Sequence, residues 1–104
     1  MNAVAYLDGN RRLLDGLLAE HLPGVRWTMP EGTYLAWLDC RPLGLEEPSE
    51  FFLRHARVAV NDGAAFGAPG RGWVRLNFAT SRSILTSLVE AMGRAVRGSG
   101  ASSR

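Results

Sequence analysis

The residue best suited to chemistry is Arg75, in the run WVRLNFA over residues 73–79. Alternation along a strand puts the apolar side chains of this run on one face and Arg75 with Asn77 on the other. A guanidinium that emerges from a packed strand offers a planar fork to a carboxylate or a phosphate. The alternatives are a solvated arginine or a structural ion pair, for which Asp62 is a candidate acid. Asn77 either orients Arg75 or satisfies a backbone group.

The segment DGAAFGAPGRG, residues 62–72, is a glycine-rich loop placed directly before that strand, with Phe66 at its centre. Long loops beside a strand end are often functional, although a loose surface loop has the same composition. The segment has no lysine and lacks the spacing of a phosphate-binding loop or a dinucleotide fingerprint. The loop is therefore a candidate wall of a site, with no ligand assigned by composition.

The charge composition excludes several classes of chemistry. Twelve basic residues oppose ten acidic ones, and all twelve are arginine. Without lysine, no side chain can form a Schiff base or act as a phosphate-loop lysine. The arginines are dispersed along the chain, which disfavours nucleic-acid binding, since that function normally shows a basic run or stripe.

The length of 104 residues indicates one domain with one modest core. No run of about 18 apolar residues exists, so no membrane span is expected. No signal peptide is visible, and the single cysteine, Cys40, cannot form an internal disulfide, so we expect a cytoplasmic protein.

Other groups that could do chemistry are weaker candidates. His21, His55 and Cys40 lack metal-ligand spacing, and we expect structural or surface roles for them. The acidic residues 46, 47 and 50 lie around a helix start, where negative charge suits the helix dipole.

The elements that must position Arg75 can be predicted from periodicity, glycine and proline. We predict helices over residues 2–22 and 48–56, a last helix capped by Thr80 or Ser81 and running to about residue 96, and strands over 25–28, 33–39, 57–61 and 73–79. Strand 33–39 is apolar on both faces, which predicts a central strand covered on both sides, with Trp37 in the core. The order of elements predicts an α+β fold, with helices on a small mixed or antiparallel sheet.

Three motifs in this order resemble a known family: PEGTYLAWLD (30–39), VAVNDGAAFG (58–67) and GWVRLNFATSR (72–82). The chain is similar to the C-terminal small domain of fold-type I pyridoxal-phosphate (PLP) enzymes of the class I/II aminotransferase family. The opening YLDGNRRLLDGLLAEHLPGV resembles the helix that enters that domain, so the resemblance covers about residues 2–96. The NDG before AxFG favours the cystathionine β-lyase (C–S lyase) branch over plain aminotransferases.

The resemblance implies that Arg75 binds the α-carboxylate of an amino-acid substrate. It also implies that Tyr34, Asn61, Gly63 and Phe66 lie toward the entrance of the active site as substrate-binding residues. Residues 1–96 would form the small domain, and residues 97–104 a flexible tail.

The chain also departs from the family, whose large domain holds the cofactor lysine and whose site is built across a homodimer. The resemblance therefore implies a fragment that is inactive alone, with PLP as the cofactor of the parent enzyme and not expected to bind this chain. The rival interpretation is a standalone, non-catalytic binding or interaction domain. A missing large domain predicts an exposed apolar patch, for which Leu7, Leu14 and Trp27 are candidates.

Overall fold

The computed structural model describes residues 3–29 and 34–99, with side chains described for 9–29, 34–67 and 69–98. Its helices are α1 (Ala3–His21), α2 (Pro48–Phe51) and α3 (Arg82–Ser99), and its strands are β1 (Arg26–Thr28), β2 (Leu35–Asp39), β3 (Asn61–Asp62) and β4 (Trp73–Asn77). A π-helical turn, Phe52–Ala56, continues α2, so the predicted helix over 48–56 is present in two parts. The predicted turn at 30–32 and the first strand residue, Thr33, lie outside the described residues.

The four strands form one antiparallel sheet in the order β1-β2-β4-β3. The predicted α+β class is confirmed, and the sheet is antiparallel throughout. β2 is an interior strand, as predicted from its apolar character, because β1 pairs on one side and β4 on the other.

One face of the sheet carries the core. Ala36 and Leu38 of β2 and Val74 and Leu76 of β4 are almost fully buried there. They form one cluster with apolar side chains of the helices, among them Leu14, Leu18, Phe52, Leu85, Val89 and Met92. The helices therefore pack on this face, which fixes the direction of every second side chain in β2 and β4.

Side chains of alternate parity lie on the opposite face, here called the open face: Arg26, Thr28, Leu35, Trp37, Asp39, Asn61, Trp73, Arg75 and Asn77. Trp37 is only half-buried and does not belong to the core cluster, so the prediction that it lies in the core was wrong. Trp37 is covered in part by the loop that carries Phe66, and within the described residues no α-helix packs on it.

Two other predictions, both about the bounds of elements, are corrected. The strand expected over 57–61 is reduced to Asn61–Asp62, because Arg57 adopts a left-handed conformation (φ 58°) and the Val58 amide donates to the Phe52 carbonyl at 3.1 Å. Helix α3 runs to Ser99, past its predicted end at about residue 96. Its last turns are anchored by Val96, which is buried. Residues 100–104 lie outside the described part.

Of the three candidates for an exposed apolar patch, Leu14 is contradicted by the structure. Leu14 is fully buried between helices, and Trp27 is half-buried with its indole N–H donating to Asp15 at 2.9 Å. The Leu7 side chain lies outside the described residues. Among the described side chains, the large apolar ones that are exposed lie elsewhere: Tyr34, Leu53, Phe66 and Ile84.

Candidate functional site

Strand register brings three side chains together on the open face. Arg75 in β4 lies directly opposite Trp37 in β2 and opposite Asn61 in β3. Directly opposed residues in adjacent strands have side chains within reach of each other. The arginine is therefore flanked by an indole on one side and an amide on the other.

The Arg75 guanidinium is held by a neutral acceptor. Its Nε and Nη2 atoms both donate to Oδ1 of Asn61, at 3.3 and 3.2 Å. Within the described residues Arg75 forms no ion pair, so the predicted alternative of a structural pair with Asp62 is not found. Asp62 instead accepts a hydrogen bond from the Ala64 amide at 3.0 Å and caps the short 3₁₀ turn Gly63–Phe66.

Phe66 extends the loop over the open face. Its ring lies edge-on to Trp37, with the ring centroids 5.4 Å apart, and the Arg75 Cζ lies 4.4 Å from the Phe66 ring centroid and 6.0 Å from that of Trp37. These distances allow cation–π attraction to both rings. About half of Phe66 remains exposed, so the ring forms a rim to the site instead of a sealed cover.

Gly63 fixes the loop against β4. The glycine is buried, and a Cβ added there would collide with the Gly70 carbonyl oxygen and lie 2.6 Å from the Trp73 carbonyl oxygen. Gly70 in turn has no space for a Cβ because the Gly63 backbone lies against it. The loop that bears Phe66 is thus closed by a contact between two backbones, which only glycine permits at both positions.

Tyr34 lies at the start of β2, and its carbonyl accepts from the Phe78 amide at 3.0 Å. Its side chain is about half exposed, and within the described residues it has no hydrogen bond or ring contact with Arg75 or Asn61. Of the five predicted site residues, three side chains therefore meet (Arg75, Asn61 and Phe66), Gly63 supports them, and Tyr34 stands apart. Asn77 accepts from the Ala79 amide at 2.8 Å, which is the backbone role considered for it.

Sequence reasoning missed a second arginine on the open face. Arg41 donates from Nε and Nη2 to the two carboxylate oxygens of Asp39, both at 2.8 Å, and its Cζ lies 5.6 Å from the Trp73 ring centroid. The hydrogen bonds from Arg41 lower the pKa of Asp39, a carboxylate that is 9% exposed. The signal in the sequence was the spacing Asp-x-Arg at a strand end, which allows the side chain to fold back.

The remaining candidates show no site. Cys40 is buried, and burial raises the pKa of its thiol to about 12. No cluster of three metal-binding side chains occurs within the described ranges. The hydrogen bond with Glu50 raises the pKa of Glu47, which fits a crowded acidic helix start. In the same part of the chain, no helix is long and apolar enough to cross a membrane.

Comparison with known proteins identifies relatives of this chain by sequence and by structure. The "Putative cystathionine beta-lyase" of Mycobacterium leprae is 49% identical to this chain in an alignment of 104 positions that covers 86% of this chain and 26% of that protein. Protein MalY of Escherichia coli is 35% identical, over 88% of this chain and 24% of that protein. This chain thus spans about a quarter of the length of the curated relatives that it matches.

Solved structures agree with the fold. The "putative plp-dependent beta-cystathionase" of Corynebacterium diphtheriae superposes with a TM-score of 0.85 at 46% identity, covering 90% of this chain and 25% of that one. The PLP-containing cystalysin of Treponema denticola gives 0.80 at 29% identity, with 88% and 24% covered. The sequence profile described as "Aminotransferase class I and II" matches residues 1–92. The chain therefore belongs to the class I and II aminotransferase family of PLP-dependent enzymes.

Proposed function

We propose that this chain is the substrate-carboxylate-binding small domain of a PLP-dependent enzyme, in which Arg75 binds the α-carboxylate of an amino acid. Residues 1–96 form that domain, and a large domain, within a cytoplasmic homodimer, completes the site. The proposed reaction of the whole enzyme is cleavage of a C–S bond in a cystathionine-like substrate. The names of the relatives from Mycobacterium and Corynebacterium, and the NDG sequence at 61–63, support this over transamination.

The observation that carries the proposal is the contrast between two arginines on the same face. Arg41 is neutralised by the carboxylate of Asp39 and forms a complete structural pair. Arg75 is half-buried, and within the described residues its recorded partners are the amide of Asn61 and two aromatic rings, with no ion pair. A partly desolvated guanidinium held by a neutral acceptor has a favourable interaction to gain from an added carboxylate.

The residues present do not fit the cofactor of the family. PLP enzymes hold the cofactor through a lysine, and this sequence contains none. The part proposed for this chain is therefore binding and orientation alone. Two parallel hydrogen bonds from Arg75 fix the carboxylate in the plane of the guanidinium, and Phe66 with Trp37 limits water around it. Positioning of this kind can lower a reaction barrier by several kcal/mol.

The test is a chimera in which this chain replaces the matching quarter of the Mycobacterium leprae relative. We expect PLP-dependent release of thiol from cystathionine by the chimera and none from this chain alone. Arg75→Ala should lower kcat/KM by roughly thirtyfold to several thousandfold, since truncating one partner of a buried charge pair costs about 2–5 kcal/mol. Arg75→Lys should fall between the two, because it keeps the charge and loses the fork.

Arg94→Ala is the matched control, since Arg94 is an exposed arginine on α3, which packs on the other side of the sheet. It should leave kcat/KM unchanged. With a substrate analogue in which an amide replaces the carboxylate, wild type and Arg75→Ala should have nearly the same kcat/KM. Equal losses for the acid and the amide would contradict the proposal. Formation of a keto acid without release of thiol would assign transamination. If this chain folds alone but its chimera is inactive, a standalone binding domain is favoured.

A further inference from the structure

We propose that Asn61 is a positioning residue that determines which edge of the Arg75 guanidinium receives the carboxylate. The inference rests on the proposed function, since it assumes that Arg75 binds a carboxylate. Asn61 occupies the edge formed by Nε and Nη2, so that the substrate is received end-on, by Nη1 and the second N–H of Nη2.

The hydrogen-bond geometry supports this assignment. A guanidinium carries five N–H groups in a fixed plane, and a carboxylate can pair with the Nε–Nη2 edge or with the Nη1–Nη2 edge. One oxygen, Oδ1 of Asn61, accepts from both Nε and Nη2, at 3.3 and 3.2 Å. Both donors of the first edge are thus already satisfied, and the second edge is the one left for a ligand.

The aromatic neighbours restrict the approach further. The Arg75 Cζ lies over the Phe66 ring, 4.4 Å from its centroid, so the ring occupies part of the space around the guanidinium. A carboxylate that pairs with two N–H groups must approach within the guanidinium plane, because those N–H groups lie in it. Asn61 blocks one in-plane approach, and the end-on approach remains.

The neutrality of Asn61 is as important as its position. An aspartate there would recreate the Asp39–Arg41 pair, in which both carboxylate oxygens receive hydrogen bonds and the cation is neutralised. An amide oxygen orients the guanidinium and leaves its positive charge available. The pairing of β3 with β4 places Asn61 directly opposite Arg75, so the two-residue strand has a purpose in the site.

The experiment titrates the full 104-residue chain, labelled with ¹⁵N, with sodium acetate while the side-chain N–H signals of Arg75 are followed by NMR. Sodium chloride and acetamide are the controls for ionic strength and for a neutral probe. In the wild type, acetate should shift the Nη signals and leave the Nε signal nearly unchanged. In Asn61→Ala the edge is free, and the Nε signal should then take the largest acetate-dependent shift.

Two further variants sharpen the test. Asn61→Asp should weaken acetate binding about tenfold or more, because the new carboxylate neutralises Arg75. Asn77→Ala removes an asparagine from the same strand face that contacts the Ala79 amide, and it should behave as wild type. If Asn61 had only a structural role, Asn61→Ala would alter stability, but the largest acetate-dependent signal shift would stay at Nη and would not pass to Nε.

The failures are distinguishable. If acetate shifts Arg75 but Asn61→Ala retains the wild-type pattern, or if the wild-type Nε signal shifts most, the positioning role is wrong and carboxylate binding stands. If no variant shows an acetate response at Arg75, carboxylate binding itself is wrong, and the role of Asn61 falls with it.

Discussion

The two faces of the sheet are built from alternate residues of the same strands and serve different purposes. Leu38 points to the helices and is fully buried, whereas its neighbour Trp37 points to the open face and is half-buried beside Phe66. The strand side chains buried against the helices are apolar, while the open face carries Asp39 and Arg75. Stability therefore resides mainly on one face, and the other is free to carry charge.

The largest expected effect tests the covered face. Leu38→Ala should lower the free energy of unfolding by about 2–5 kcal/mol, because it removes buried methyl groups and leaves a cavity among the helices. Urea denaturation followed by circular dichroism measures it. A loss below that of Trp37→Ala would reverse the assignment of the two faces.

The next effect concerns the loop over the open face. Gly63→Ala should cost about 1–3 kcal/mol, because the new Cβ has the Gly70 and Trp73 carbonyl oxygens in its place. Gly16→Ala is the control, since a Cβ there meets nothing within 4 Å on α1 and should stabilise the chain by about 0.4–1 kcal/mol. Equal stability of the two variants would show that the loop does not pack as described.

Trp37→Ala should have a smaller effect than its size suggests. The indole is half-buried and packs on a loop, so we expect a loss of about 1 kcal/mol, well below that for a fully buried aromatic side chain. The same variant should also raise the exposure of Phe66. Faster limited proteolysis within the loop that carries Phe66 would measure this change. Complete unfolding of Trp37→Ala would restore the interpretation of this residue as core.

The smallest expected effect is the acid dependence of the Asp39–Arg41 pair. The pKa of Asp39 is lowered in the folded chain, so its contribution to stability is present above the ordinary value of about 3.9 and is lost as the pH falls through the lower folded value. In thermal melts between neutral and strongly acidic pH, the melting temperature of Asp39→Asn should therefore fall less with acidification than that of the wild type. An identical pH dependence would contradict the pairing.

Periodicity predicted the fold well because the covered face is dictated by burial. The stripe on α3 and the alternation in β4 each place apolar residues at the spacing that packing requires, and the α+β class follows. The shortening of the strand predicted over residues 57–61 could not be predicted from the sequence. It depends on the left-handed conformation of Arg57, which is uncommon for residues other than glycine.

The site was predicted in part. Arg75 was identified from its own strand, and Asn61 and Phe66 were placed toward the site by the family resemblance. Their contact with Arg75 was not predicted, because it depends on strand register and on loop closure by Gly63 and Gly70. The fold-back of Arg41 onto Asp39 was missed, since local side-chain pairing leaves little trace in hydrophobic patterns.

The burial of Cys40 has a practical consequence. The only thiol of the sequence is fully enclosed at the end of β2, and its raised pKa keeps it protonated near neutral pH. Because thiolates are the reactive form, maleimide reagents should pass over the native chain. A cysteine introduced at an exposed position of the loop, such as Ala65, would then take a single fluorophore and report ligand-dependent movement beside Arg75 without background labelling.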